Sequence, residues 1–148
     1  AIGWVSAGGA LFDTRLLVLC VLFFLWQVPH FWLLVLRYGK EYENAGLPSL
    51  SGLLDDGQIT RITFVWLAAI VVAGLALPFY GLIHSPIIYL SLVPAAAWVL
   101  WYGTKLFRFD IHPSAYLMAF RHVNGYILFM MVVLASDNIM YRITQKMP

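Results

Sequence analysis

The chain has 148 residues, 62% of them hydrophobic and only 11% charged, with a formal net charge of +2. A soluble domain carries about a quarter of its residues as Asp, Glu, Lys and Arg, so an ordinary water-soluble fold is excluded, and the small net charge gives no basis for binding nucleic acid. A single cysteine, Cys20, rules out an internal disulfide; in its apolar run the expectation is a buried small filler.

Long, nearly uncharged runs recur along the chain, which predicts an all-α, multi-pass integral membrane protein. The segments of about ten alternating residues that mark a membrane barrel are absent. In chain order, residues 1–13, with Gly3, Gly8 and Gly9, read as the tail of an earlier element followed by a loop. Ala1 is the first residue and no basic leader precedes the first span, so the expectation is a piece of a longer protein. Four spans follow, at about 16–36, 62–83, 86–106 and 115–137. Each has the ~20 residues needed to cross a hydrocarbon core of about 30 Å. Arg121, His122 and Asn124 interrupt the last of them.

The connections differ. Residues 37–61 form a polar loop with seven charged residues, residues 84–85 an uncharged turn, and residues 107–114 a short basic link containing His112-Pro113. Arg37, Lys40, Arg61, Lys105, Arg108 and Arg121 gather at the first and third connections, whereas Arg15, Arg142 and Lys146 lie at the other side. This asymmetry predicts that loop 37–61 faces the bacterial cytoplasm, or the matrix if the membrane is the mitochondrial inner one. Trp98, Trp101 and Tyr102 fit an aromatic belt at that same face.

The first span carries an unusual polar stripe. At 100° per residue, Gln27, His30, Arg37 and Glu41 fall within about an 80° arc, and Lys40 falls outside it. Polar side chains in a membrane helix turn away from lipid, toward a bundle interior or a wet cavity. Pro29 removes one helical donor and frees the carbonyl of Leu25, which is tolerated in membrane where a cavity or a neighbour satisfies it. A lone Gln or His also serves simply to bond a neighbouring helix. The loop beyond holds Glu41, Glu43, Asp55 and Asp56 beside Arg37, Lys40 and Arg61. Carboxylates of this kind suit Mg²⁺ bridged to substrate phosphates, and the basic groups suit the phosphate oxygens. That mixture fits a diphosphate-bearing lipid; it also describes an ordinary solvated loop.

The wording of the segment is more specific. Trp26-Gln27-x-Pro29-His30-Phe31-Trp32, then Glu41-Tyr42-x-x-Ala45-Gly46-Leu47-Pro48, resembles the protoheme IX farnesyltransferase branch of the UbiA-type intramembrane prenyltransferases. Gly57, Thr60 and Arg61 fit the entry to that family's next helix. Residues 2–9 fit its Gly-Trp segment, and Ala115, Phe120, Arg121, Tyr126 and Asp137 fit its closing helix. The resemblance covers the whole chain but only the carboxy-terminal half of the family fold, so these spans would be the last four of a nine-helix bundle.

The resemblance implies Mg²⁺-dependent transfer of farnesyl from farnesyl diphosphate to a vinyl group of protoheme IX, with heme b as substrate rather than cofactor. Glu41 stands where the family's second acidic motif has aspartate, with Asp55 a further metal candidate. Lys40 and Tyr42 are implied catalytic neighbours, and Arg37 and Arg61 phosphate contacts. Trp26, Gln27 and His30, deeper on the stripe, would meet the substrate. The first acidic motif is absent and would come from a missing amino-terminal half; Ser49 replaces a methionine. Two other readings are another UbiA-type enzyme acting on a quinone or chlorophyll precursor, and a non-catalytic b-type heme protein using His30 and His122. For the remaining polar residues the expectation is a turn at Asp55-Asp56, surface positions for His84 and His112, and an interfacial cap or snorkelling role for Asp137.

Overall fold

Two long apolar helices that begin and end in polar sequence set the frame of the molecule. The computed structural model describes residues 1–46, 54–107 and 113–146. A short helix, α1 (Ile2–Ser6), precedes α2 (Thr14–Asn44), α3 (Asp56–Ala76), α4 (Pro86–Lys105) and α5 (Pro113–Lys146). A single 3₁₀ turn, Leu77–Tyr80, follows α3. Leu47-Pro48-Ser49, Arg108 and His112 lie outside the described residues.

Four of these helices are long and apolar enough to cross a membrane. They pack cyclically, α2 on α3, α3 on α4, α4 on α5 and α5 back on α2, each antiparallel to its neighbours. Short connections between successive helices produce this up-and-down arrangement. Leu22, Ile70, Leu92, Ala96, Val123 and Met130 fill the main core at the bundle axis. A second cluster of Leu33, Leu36, Ile59, Leu106, Tyr116 and Ala119 closes the end where α2 finishes and α3 begins. The outer surface is apolar as well: Val65, Val72, Leu90 and Leu128 are each more than 60% exposed. A bundle in water would bury or replace such residues, whereas lipid solvates them.

Several boundaries differ from the sequence expectation. The first span does not stop at residue 36, because α2 runs on to Asn44. Residues 37–44, read as loop, are therefore helical, and Pro29 lies buried inside a helix that continues across it. Its 31 residues make a rod of about 46 Å, longer than a hydrocarbon core of about 30 Å, so one end must emerge. At the far end of the second span, α3 closes at Ala76, and Pro78, which cannot donate in the next turn, hands over to the 3₁₀ turn. The last span likewise extends beyond residue 137, to Lys146. Cys20 is exposed rather than a core filler, since the outward face of α2 at that depth has no helix against it.

Close contacts use small residues. A Cβ at Gly74 on α3 would meet the Met130 methyl at 2.5 Å and the Tyr126 hydroxyl at 2.7 Å on α5, across the bundle. Gly103 on α4 faces Phe64 and Leu67 of α3 in the same way.

Candidate functional site

The polar residues of α2 divide between two surfaces. Trp26 and His30, one turn apart, turn toward α5. There Asn124 accepts hydrogen bonds from Trp26 Nε1 at 3.0 Å and from His30 Nδ1 at 2.8 Å. The Asn124 amide nitrogen donates to the Phe120 carbonyl at 2.7 Å, which fixes the side chain with its oxygen toward α2. An oxygen that already takes an indole N–H can only accept, so His30 carries its proton on Nδ1. Its Nε2 has no hydrogen-bond partner among the described residues. The imidazole is wedged between the rings of Trp26 and Phe120, with centroids 4.8 and 5.0 Å away. His30 lies about 24 Å along α2 from its start, deep in the apolar stretch.

Gln27 sits on the open face of the same helix, exposed, in a groove of about 430 Å³ lined by Phe24, Val28, Phe31, Trp32 and Val35. Farther along that face, Tyr38, Glu41, Tyr42 and Ala45 line a second hollow of about 380 Å³. Glu41 and Tyr42 are exposed there, and Glu41 has no hydrogen bond or ion pair among the described residues. Arg37 is also exposed, with its guanidinium 5.4 Å from the centre of the Tyr38 ring. The stripe thus straddles an edge: His30 belongs to the α2–α5 seam, and Gln27 and Glu41 to two hollows on the open face beside it. Lys40 belongs to this last helical stretch of α2.

Arg61 lies exposed on the first turns of α3 and lines neither hollow. Asp55 is the N-cap of α3: its carboxylate accepts from Gln58 N at 2.9 Å, and the Gln58 side chain accepts from Asp55 N at 3.1 Å. This is a reciprocal capping box; where a turn was expected at Asp55-Asp56 the helix already begins at Asp56, and the cap engages the carboxylate assigned above to metal. Among the described residues no group of three or more His, Cys, Asp or Glu comes together. Of the two carboxylates assigned above to metal, Asp55 is engaged in the cap and Glu41 has no hydrogen bond or ion pair among the described residues.

His122 does not face His30. Its Nδ1 accepts from Trp98 Nε1 at 3.3 Å and its ring lies 3.6 Å from that of Tyr102, both on α4. Two residues on, about 200° around α5, Asn124 addresses α2. The two histidines therefore serve opposite seams and do not form an axial pair.

Two clusters carry more structure than the sequence indicated. Asn124, read only as an interruption, organises the α2–α5 seam; the signal was an amide at His30's depth. His84 is exposed, as expected, and in addition donates from its ring Nδ1 to Asp137 Oδ2 at 2.9 Å and stacks on Tyr141 at 3.9 Å. Asp137 itself is 1% exposed and also accepts from the backbone N–H groups of His84 at 2.7 Å and Ser85 at 2.9 Å. It caps the start of α4 from α5, as an acid at a helix N-terminus does.

Four helices long and apolar enough to cross a membrane pack as an antiparallel bundle, with an aromatic–polar seam between α2 and α5 and acidic and basic groups near the end of α2. The chain belongs to the UbiA prenyltransferase family, matched over residues 1–136, and is thus a multi-pass membrane protein. It is 44% identical to the protoheme IX farnesyltransferase of Geobacter sulfurreducens over 84 residues, 55% of this chain and 30% of that protein. It is 34% identical to the protoheme IX farnesyltransferases of Burkholderia mallei and Burkholderia pseudomallei over 139 residues, 93% of this chain and 45% of theirs. The chain spans less than half the length of these relatives. No solved structure matches it.

Proposed function

We propose that this chain forms the carboxy-terminal part of a protoheme IX farnesyltransferase, one that transfers farnesyl from farnesyl diphosphate to a vinyl group of protoheme IX. The observation that carries the reading is the continuity of α2, which joins His30 and Gln27 inside the bilayer to Arg37, Glu41 and Tyr42 beyond it on a single rod. A substrate with a hydrocarbon tail and a diphosphate head needs both environments at that spacing. The protoheme IX farnesyltransferases that the chain resembles support the same chemistry.

In this reading the apolar groove of Phe24, Val28 and Phe31 receives the prenyl tail, and the mouth of α2 receives the diphosphate. Arg37 and Lys40 stabilise negative charge on the departing group as the allylic C–O bond breaks. The vinyl carbon then bonds to the farnesyl C1, and water adds to the resulting cation and loses a proton. His30 Nε2, which has no partner among the described residues, meets the heme, for which an imidazole nitrogen is an apt iron ligand. Mg²⁺, as the resemblance implies it, would need further carboxylates from outside the chain beside Glu41. The amino-terminal half with the first acidic motif would supply these. The α2–α3 connection faces the cytoplasm or matrix in this reading.

The test uses the complete enzyme in membranes. Glu41→Ala should abolish farnesylated heme while the protein still inserts, and His30→Ala should weaken heme use more than farnesyl diphosphate binding. Undiminished turnover by Glu41→Ala would remove Glu41 from the site. Formation of a prenylated aromatic acid in place of farnesylated heme would move the chain to another branch of the family.

A further inference from the structure

The end of the bundle remote from Glu41 carries a second cavity, of about 410 Å³, between the start of α2 and the end of α5. Arg15 is 26 residues before Glu41 on the same helix, about 39 Å away along the axis. The walls are of two kinds. Arg15, Arg142 and Asn138 supply a polar rim, and Leu19 and Leu134 an apolar floor. Leu19 and Leu134 are also walls of a neighbouring furrow of about 180 Å³, lined otherwise only by apolar side chains such as Phe23 and Met131. The two hollows thus follow one seam, basic at the bilayer edge and purely hydrocarbon toward its middle.

We infer that this seam holds an anionic phospholipid, with its phosphate between Arg15 and Arg142 and one acyl chain in the furrow along Leu19 and Leu134. Charge decides the head. Arg142 has no acidic partner among the described residues, and Arg15 is only partly offset by Asp13, whose carboxylate lies 3.5 Å from its Nε. With Asp13 counted, the rim keeps an excess of one positive charge. Guanidinium groups bind phosphate oxygens through paired N–H donors. Shape decides the tail, since a free phosphate would leave the furrow unfilled. The partner is a bilayer lipid because the basic rim runs on into an all-apolar furrow and lies at the opposite end of α2 from the diphosphate mouth proposed above.

The protein, purified from membranes in mild detergent and delipidated, is titrated with phosphatidylglycerol or phosphatidylcholine, and bound lipid is read by native mass spectrometry. Phosphatidylglycerol should be retained at least about fivefold better than phosphatidylcholine, the preference expected of one uncompensated basic residue at an anionic surface. Arg15→Gln with Arg142→Gln should bring the ratio near one at unchanged helix content by circular dichroism. Asp13→Asn, which keeps a side-chain oxygen for the Arg15 N–H, should raise the ratio and needs no loss of folding to be informative. Equal retention of the two lipids by the unaltered protein, or an unchanged ratio in Asp13→Asn, overturns the proposal. Displacement of phosphatidylglycerol by equimolar farnesyl diphosphate would assign the groove to the prenyl substrate, and displacement by inorganic phosphate would leave no role for the furrow; either result also overturns it.

Discussion

His30 Nδ1 and Asn124 Oδ1 lie 2.8 Å apart across the α2–α5 seam, and the same oxygen takes the Trp26 indole N–H at 3.0 Å. One amide therefore sets the tautomer of the histidine and the pose of the tryptophan. Its own direction is fixed by the Phe120 carbonyl 2.7 Å away. Asn124 is a positioning residue in this arrangement, acting through His30.

Replacing it with leucine of similar size removes the acceptor from two donors at once. Asn124→Leu should cost about 2 kcal/mol of stability, the range for stranding buried donors. It should also release His30 to sample both tautomers. Nitrogen-15 shifts of the His30 ring check this directly: the unaltered protein should show a protonated Nδ1, and the variant a mixture. A protein whose His30 spectrum is indifferent to Asn124→Leu would contradict the assignment of the tautomer.

Asp137 should matter more to stability than any carboxylate at the mouth of α2. Its two oxygens serve the backbone N–H groups of His84 and Ser85 and the ring of the exposed His84, and Asp137 itself is 1% exposed. Asp137→Ala strands these donors and should lower stability by about 3 kcal/mol, while Asp137→Asn keeps one acceptor and should cost about half as much. Thermal unfolding in detergent measures the difference. His84→Ala, which leaves both backbone donors in place, should be the mildest of the three.

Asp55 offers a contrast, because its carboxylate is engaged in a cap rather than aimed at a cavity. Asp55→Ala should destabilise α3 by about 1 kcal/mol, and Asp55→Ser should recover most of it, since a hydroxyl also caps. Turnover of the complete enzyme should fall little in Asp55→Ser. A loss of activity in Asp55→Ser equal to that in Glu41→Ala would return Asp55 to the metal.

The membrane class and the four spans were legible because a run of about 20 apolar residues is read against the fixed thickness of a bilayer. The Trp26–Trp32 string likewise pointed to the family by itself. Helix ends were less legible. Residues 37–44 look like loop by charge, yet they continue α2, because Glu, Lys, Arg and Tyr are compatible with helix once the turn before them is formed. Composition marks where lipid ends, not where a helix does.

The local sequence thus determined a lipid-embedded helical protein with a polar stripe on α2, since hydropathy and a 3.6-residue period are properties of neighbouring residues. Which way each polar group turns was decided only by packing. An 80° arc spans the boundary between a seam and an open groove, and the side that wins depends on partners far along the chain. His30 meets Asn124, 94 residues on, and His84 meets Asp137, 53 residues on. No local pattern encodes these pairings; they exist because antiparallel helices bring equal depths of the bilayer together.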